Sequence, residues 1–242
     1  MRKSHQDRYY LETEGDNFFH RNFSGKKLPE LRDTKVTLLE HIQEARIQFE
    51  RVLEYGCNYG DLLNYFKHYG LAIECVGIEA SRAAVNFGKK RYADSLQIVH
   101  GTLADNPLNN NTSKQNYFDL VIVDDVFGWV SRETLLQSVT NIDSVLKDGG
   151  HLFIRDFLPD KRVKNSNHHV ANGDVFNYKV PGSHAGIFLA CGTYDVVWQK
   201  TYYDDTEMSV GYRSDNPFNY RWTDVVLKKS YRDNFQESQR LL

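Results

Sequence analysis

Between an apolar run and a helical stretch lies the segment Glu54-Tyr55-Gly56-Cys57-Asn58-Tyr59-Gly60. Gly56 and Gly60 let the backbone turn sharply and lie close against a ligand. The spacing Gly-x-Gly-x-x-Gly, which seats a pyrophosphate on a helix N-terminus, is absent. Glu54, just ahead of the first glycine, would repel a pyrophosphate and welcome an ammonium. A second carboxylate, Glu79, ends the run Val76-Gly77-Ile78-Glu79, where it can accept both hydroxyls of a ribose. The pattern predicts a ribose-bearing ligand that is cationic at one end and free of phosphates. Two other places hold groups that can take a proton: Asp124-Asp125 at the end of an apolar run, and His168-His169 in a long polar segment. Histidine titrates near neutral pH and suits a general base.

The elements that must position these groups are short and alternate in type. Apolar runs at Arg51–Tyr55, Ile73–Ile78, Leu96–Val99, Phe118–Val123 and His151–Ile154 read as strands. Leu62, Leu63 and Phe66 mark a helix after the first, and Ala83, Ala84, Phe87 and Gly88 one after the second. After the fourth, Leu135, Leu136, Val139, Ile142 and Leu146 form an apolar stripe that stops at the glycine signal Lys147-Asp148-Gly149-Gly150. Such alternation implies parallel strands joined by right-handed crossovers. Ligands bind beyond the carboxyl ends of such strands, where the strand order reverses.

Outside this region the pattern changes. Residues 1–28 are polar and aromatic with weak periodicity, and read as an arm or lid on a domain of residues 29–242. A helix is expected from Pro29, with Leu31, Leu38, Leu39, Ile42 and Ala45 on one face. Gly182–Ala190 reads as a helix, and Tyr194–Tyr203 and Thr223–Lys229 as a closing antiparallel pair of strands. The polar stretch Asp160–Pro181 reads as a long functional loop, whose Lys161, Arg162 and Lys164 could hold an anionic group.

Composition narrows the class. The chain has 242 residues, a formal charge of −2 and 26% charged residues, so it offers no basic footprint for nucleic acid. No apolar run reaches membrane-spanning length, and no secretory h-region opens the chain. Cys57, Cys75 and Cys191 fit neither a disulfide framework nor a zinc spacing, which suits a reducing cytoplasm. The 15 tyrosines and 14 phenylalanines are abundant enough to wall a sugar-stacking or flat-ligand site as well as a core.

S-adenosyl-L-methionine meets both conditions that the glycine loop sets. The chain resembles the class I S-adenosylmethionine-dependent methyltransferases, whose first motif runs acidic-x-Gly-x-Gly-x-Gly, with Asn58 here in place of the middle glycine. Phe118–Asp125 and Leu146–Ile154 are similar to that family's fourth and fifth strands. The resemblance implies an α/β, Rossmann-like seven-stranded sheet of order 3-2-1-4-5-7-6, strand 7 antiparallel, flanked by helices. It places Glu54, Gly56, Cys57, Asn58 and Gly60 at the methionine end and Glu79 on the ribose. Ala80 then lies along the adenine with Thr102 and Leu103 opposite, and Asp124 and Asp125 stand beside the methyl group. The stretches Gly56–Gly60 and Gly15–Asn22 also resemble a branch associated with bacterial surface-sugar biosynthesis (capsule, O-antigen or pseudaminic acid type). That branch implies a sugar, nucleotide-sugar or glycan acceptor methylated on oxygen.

In methyl transfer the enzyme aligns a nucleophile and removes its proton. Candidate bases are His168, His169, Asp125 and Asp124, with Arg155, Asp156, His184 and His20 as further polar groups and Tyr9, Tyr10, Arg21 and Asn22 as substrate or methionine contacts. Asp124, Asp125 and Asp156 are similar to a catechol-type metal set, but Phe157 stands where that pattern has asparagine, so no metal is expected. Natural-product O- or N-methylation is the alternative acceptor chemistry. A nicotinamide oxidoreductase lacks its glycine spacing here, and a non-catalytic binding module would have no use for Glu54 with Glu79. Amino-group methylation of nucleic acid would call for Asn/Asp-Pro-Pro-Tyr where this chain has Asp-Asp-Val-Phe.

Overall fold

The computed structural model describes residues 4–92, 95–105, 107–108, 112–170, 174–203 and 221–231. The five apolar runs form parallel strands β1 (Arg51–Tyr55), β2 (Glu74–Glu79), β3 (Gln97–His100), β4 (Phe118–Asp124) and β5 (Leu146–Phe157). A hairpin of β6 (Val163–Ser166) and β7 (Phe176–Lys179) stands apart from this sheet, and β8 (Tyr194–Tyr203) and β9 (Arg221–Lys229) complete it. The order is β3-β2-β1-β4-β5-β9-β8, with β9 antiparallel to both neighbours. This is the expected seven-stranded topology; the extra hairpin only shifts the strand numbers.

Consecutive strand residues bury on opposite faces, which is why the strands read as unbroken apolar runs. Val52, Leu120, Ile122, Phe153 and Val226 pack beneath α3 (Asp33–Glu44), α4 (Asp61–His68) and α5 (Arg82–Tyr92). Leu53, Val121, Val123, Ile154 and Leu227 pack beneath α6 (Leu135–Val145) and α7 (Ala185–Ala190). The chain winds outward from β1 to β3 on one side and from β4 to β9 on the other. The crevice between the carboxyl ends of β1 and β4 is the topological switch point.

Four expectations need correction. Residues 5–22 are helical throughout: α1 (His5–Tyr9), a π-helical turn Tyr10–Glu14, and α2 (Gly15–Asn22). Ser4 caps this helix, accepting from the Asp7 N–H at 3.1 Å. The π turn inserts a residue and breaks the 3.6-residue period, so the apolar stripe was not legible. Gly15 is no turn; an added Cβ there would come within 2.7 Å of the Tyr10 carbonyl and 2.9 Å of the Ser81 amide. Second, α3 starts at Asp33 rather than near Pro29, because Arg32 is still extended at ψ 147°. Third, the Asp160–Pro181 stretch contains the β6–β7 hairpin. All of β6 but Val163 is exposed, so no apolar alternation marked it. β5 also begins earlier than expected, running through Gly149 (φ +79°) with a register break between Phe118 and Leu120. Among the described residues no helix is long and apolar enough to cross a membrane.

Gly88 on α5 faces the loop after β1, and a Cβ there would collide with the Tyr59 carbonyl. Gly88→Ala is expected to cost roughly 1–3 kcal/mol by forcing helix and loop apart, read as a lower urea midpoint with an unchanged slope.

Candidate active site

The loop after β1 holds three residues with positive φ: Gly56 (71°), Asn58 (54°) and Gly60 (85°). Asparagine tolerates the left-handed region better than other side chains, so Asn58 serves where the family pattern has glycine. The Gly56 N–H donates to the Ile78 carbonyl at 2.8 Å, tying the loop to the end of β2. Glu79 completes the tie: one oxygen accepts from the Asn58 N–H and the other from the Ser81 N–H, both at 2.8 Å. Burial pushes the Glu79 carboxyl up, against the pull of these amides.

Above these loops opens a cavity of about 780 Å³. Gly56, Asn58, Glu79 and Ala80 form one wall, and Thr102 and Leu103 extend it past β3. Asp124, Asp125, His168 and His169 line the rest of the expected site. Three expected residues do not reach it. Gly60 caps α4, where a Cβ would press on Leu96 and Ile98. Cys57 is fully buried under Gly77, and burial lifts its thiol well above the ordinary value. Glu54 is fully buried behind Lys35.

Lys35 is the residue that sequence reasoning missed. It is 3% exposed, and its Nζ donates to Glu54 Oε1 at 2.6 Å and to Asp124 Oδ2 at 2.7 Å. Its signal was its position, three and seven residues before Leu38 and Ile42 on the buried face of α3. The row of charges continues. Asp124 lies 3.7 Å from Arg155, which donates two bonds to Asp224 at 2.9 and 2.7 Å, and Asp224 meets His41 Nδ1 at 2.6 Å. Burial works against both ions of the central pair, yet their attraction prevails. Lys35 is held above its ordinary value by Asp124 and Glu54, and Asp124 below its own by Lys35 and Arg155. A carboxylate so engaged makes a poor base.

Its neighbour differs. Asp125 takes φ +53°, which swings it out of line with β4 into the cavity. Among the described residues no hydrogen bond or ion pair engages its carboxylate. It is exposed along the cavity, and crowding by nearby protein together with the Asp124 charge pushes it up to about 7, against the pull of Lys179 and Arg155. His169 is also within reach of the cavity; loss of hydration and the Arg21 charge hold it below its ordinary value. Lys161, Arg162 and Lys164 do not line the cavity, and Lys164 lies 3.7 Å over the Phe176 ring instead. Asp156 and His184 face away from it as well: Asp156 accepts from the Ser183 hydroxyl at 2.5 Å and the His184 N–H at 2.7 Å. Tyr9 and His20 lie outside the lining, whereas Tyr10, Arg21 and Asn22 are part of it.

The N-terminal helix roofs the cavity. Gln6 bonds the carbonyls of Trp129 (2.5 Å) and Phe176 (2.9 Å), and Asp7 accepts from Thr134 at 2.7 Å. Asp16 accepts from the Ser81 hydroxyl and the Ala83 N–H, both at 2.8 Å. Between these anchors Glu14 accepts from Arg21 at 2.6 Å and from Asn167 at 3.2 Å.

A family model described as a methyltransferase domain matches residues 5–185. The chain belongs to that family. The Rickettsia prowazekii "uncharacterized protein RP028" is 25% identical to this methyltransferase over 122 residues, 50% of this chain and 48% of that protein, so the match spans about half of the relative. Similar solved structures include the Burkholderia thailandensis 1,6-didemethyltoxoflavin-N1-methyltransferase with 1,6-didemethyltoxoflavin and S-adenosylhomocysteine bound (12% identity, 95% and 92% of the two chains, TM-score 0.66). Others are a putative sarcosine dimethylglycine methyltransferase from Galdieria sulphuraria (12%, 90% and 99%, 0.63), and the N-methyltransferase NodS of Bradyrhizobium japonicum with S-adenosylhomocysteine (13%, 89% and 98%, 0.58). At such identities the likeness is one of fold.

The family's cofactor is S-adenosylmethionine, and the residues present fit it. Glu54 Oε2 is buried with no hydrogen-bond partner, two residues before Gly56. That atom lies behind Lys35 and out of the cavity, so the fit rests on Gly56, Asn58 and Glu79, which line the cavity. Gly56 itself admits no side chain, since a Cβ would strike Val126.

Lys35→Met would leave Glu54 and Asp124 buried without their shared cation. The expected cost is about 3–5 kcal/mol at neutral pH. The penalty should shrink as pH falls, because the stranded carboxyls then take up protons in the folded state. Urea unfolding of wild type and variant at several pH values reads both effects.

Proposed function

We propose that this methyltransferase carries a methyl group from S-adenosylmethionine to an oxygen of a small, sugar-like acceptor, with Asp125 as the base. The observation that carries this reading is the cavity that runs unbroken from Glu79 to Asp125. Glu79 would hold the ribose hydroxyls, Ala80, Thr102 and Leu103 the adenine, and Gly56 and Asn58 the methionine end, with Glu54 behind Lys35 supporting the loop. Cys57 and Gly60 act by shaping the loop. The cofactor, when bound, supplies a methyl group already activated by a sulfonium. Asp125 then takes the hydroxyl proton, with His168 or His169 as the reserve base. Asp124, neutralised by Lys35, supports the site rather than moving a proton.

The acceptor end is walled by Tyr10, Trp129, Tyr202 and Trp222. Aromatic faces of this kind pack against the C–H face of a sugar while carboxylates take its hydroxyls. Among sugar, nucleotide-sugar and glycan acceptors, one without phosphate fits best. Arg21, Arg32, Lys35 and Arg155 line the cavity, but each is engaged by a carboxylate: Glu14, Asp61, Glu54 with Asp124, and Asp224. N-methylation of a flat heterocycle is the second reading, favoured by the same aromatic walls. In either case residues 1–28 act as a lid on the 29–242 domain, because their anchors at Gln6 and Asp16 bridge both halves of the cavity. The free thiols of Cys57, Cys75 and Cys191 suit a reducing cytoplasm.

Calorimetric titration with S-adenosylmethionine and with NAD, Glu79→Ala in parallel, tests the cofactor assignment. Binding of the former alone, weakened at least about tenfold in the variant (about 1.4 kcal/mol), is expected. Failure of folded wild type to bind S-adenosylmethionine would overturn the reading and bring a non-catalytic module to the front. Once an acceptor is found, Asp125→Asn should lower kcat by roughly 10²–10⁴. A carboxyl titrating near 7 is protonated below that pH, so kcat/KM for the cofactor should fall as pH drops through about 7.

A further inference from the structure

Among the described residues two carboxylate oxygens are buried without a hydrogen-bond partner, Glu54 Oε2 and Glu14 Oε2. The first lies behind Lys35, away from the cavity. The second belongs to the roof, and Glu14 lines the cavity although the residue is only 1% exposed. Its other oxygen is fully used, accepting from Arg21 at 2.6 Å and from Asn167 at 3.2 Å. An enclosed carboxylate oxygen without a donor costs stability, so one kept beside a cavity marks a place where a ligand supplies the donor.

The local fold holds Glu14 in this position. Tyr10–Glu14 is a π-helical turn closed by the Gly15 N–H on the Tyr10 carbonyl, and such turns are frequent at functional sites. Gly15 presses the turn onto the rim at the end of β2, where a Cβ would come within 2.9 Å of the Ser81 amide. Tyr10, at the other end of the turn, ties Glu14 to the acceptor end. Burial and then the Glu14 charge hold the Tyr10 phenol above its ordinary value, and Asp125 acts on the same phenol. The Tyr10 ring meets Trp129 edge to face, with centroids 6.1 Å apart. Asn167, which follows β6, closes the corner. Glu14 thus stands with the aromatic wall and Asp125, on the side away from Thr102 and Leu103.

We propose that Glu14 is the residue by which this methyltransferase selects its acceptor, its Oε2 receiving a hydroxyl of the sugar-like molecule while Tyr10 and Trp129 pack against the ring. The inference rests on the acceptor reading given above. Charge decides the kind of donor. Arg21 already balances the Glu14 carboxylate, so a second cation would leave a net charge in an enclosed site, whereas a neutral hydroxyl adds none. A hydrogen bond to a carboxylate is stronger than one between neutral groups, and a site built around it rejects analogues that lack the hydroxyl. The hydroxyl read by Glu14 is distinct from the reacting one, which the base assignment puts at Asp125. Because Oε2 is shut in beneath the docked roof, the acceptor enters with the roof raised. It is held as Gln6, Asp7 and Asp16 regain their partners.

The test uses the complex with S-adenosylhomocysteine and neutral probes: the methyl glycosides of glucose, galactose and mannose, and myo-inositol. Saturation transfer from protein to probe reads binding to wild type and to Glu14→Gln, and the urea midpoint reads the fold. Wild type should bind at least one probe. Glu14→Gln should bind it roughly tenfold more weakly, with its affinity for S-adenosylhomocysteine unchanged. Among the monodeoxy analogues of that probe, one should lose roughly tenfold on wild type and nothing further on the variant, the mark of the bond itself. Glu14→Asp, which keeps a charge for Arg21 but withdraws it by one methylene, takes over if Glu14→Gln does not fold. Equal binding of the probe by wild type and variant overturns this proposal alone. So does a folded variant that has lost S-adenosylhomocysteine, which would assign Glu14 to the cofactor. If wild type binds none of the probes, the sugar-like acceptor reading has itself failed and this proposal falls with it.

Discussion

The ammonium of Lys35 sits between the carboxylates of Glu54 and Asp124, and much of the site depends on that contact. β1 carries an acid one residue before its end and β4 carries one at its end, and the two strands are neighbours. Two buried carboxylates at adjacent strand ends would repel one another and draw protons. The cation from α3 removes the conflict and pins that helix over the crevice. The same device repeats outward, since Arg155 joins Asp124 to Asp224 on β9. Charges of alternating sign thus hold together the carboxyl ends of β1, β4 and β5 and the adjoining β9. Apolar packing alone would leave that end of the sheet free to splay around a cavity.

This arrangement also divides labour between two adjacent aspartates. Asp124 continues the strand and is neutralised from behind. Asp125 turns through a left-handed conformation and keeps its carboxylate bare. One residue of chain separates a carboxylate engaged by cations from one open to the cavity, and the difference lies in partners rather than in residue type. Glu79 occupies an intermediate position: it is satisfied by backbone amides that hold two loops together, while still lining the cavity.

Most of the framework was legible in the sequence because the buried strands and crossover helices state their periods openly. Gly56 and Asn58 of the glycine loop, with Glu79, Ala80, Thr102, Leu103 and the Asp124-Asp125 pair, line the crevice, whereas Glu54, Cys57 and Gly60 lie behind it. What escaped had physical reasons. The N-terminal helix hid behind a π turn that shifts its period, and the β6–β7 hairpin behind strands too exposed to alternate. Lys35 escaped because a lysine is read as a solvated residue unless its helical phase is checked against Leu38 and Ile42. Glu54 was expected to face a ligand directly; the lysine that covers it lies nineteen residues earlier, beyond the reach of a local motif.

The order in which the strands are laid down gives the charge row a further meaning. Lys35 and Arg155 emerge during synthesis well before β9 brings Asp224 to the middle of the sheet. Until β9 inserts between β5 and β8, Arg155 lacks its bidentate partner and His41 its carboxylate. The charge row is therefore incomplete until β9 is in place, and a crevice roofed by α1 and α2 is secured by a strand far along the chain from them.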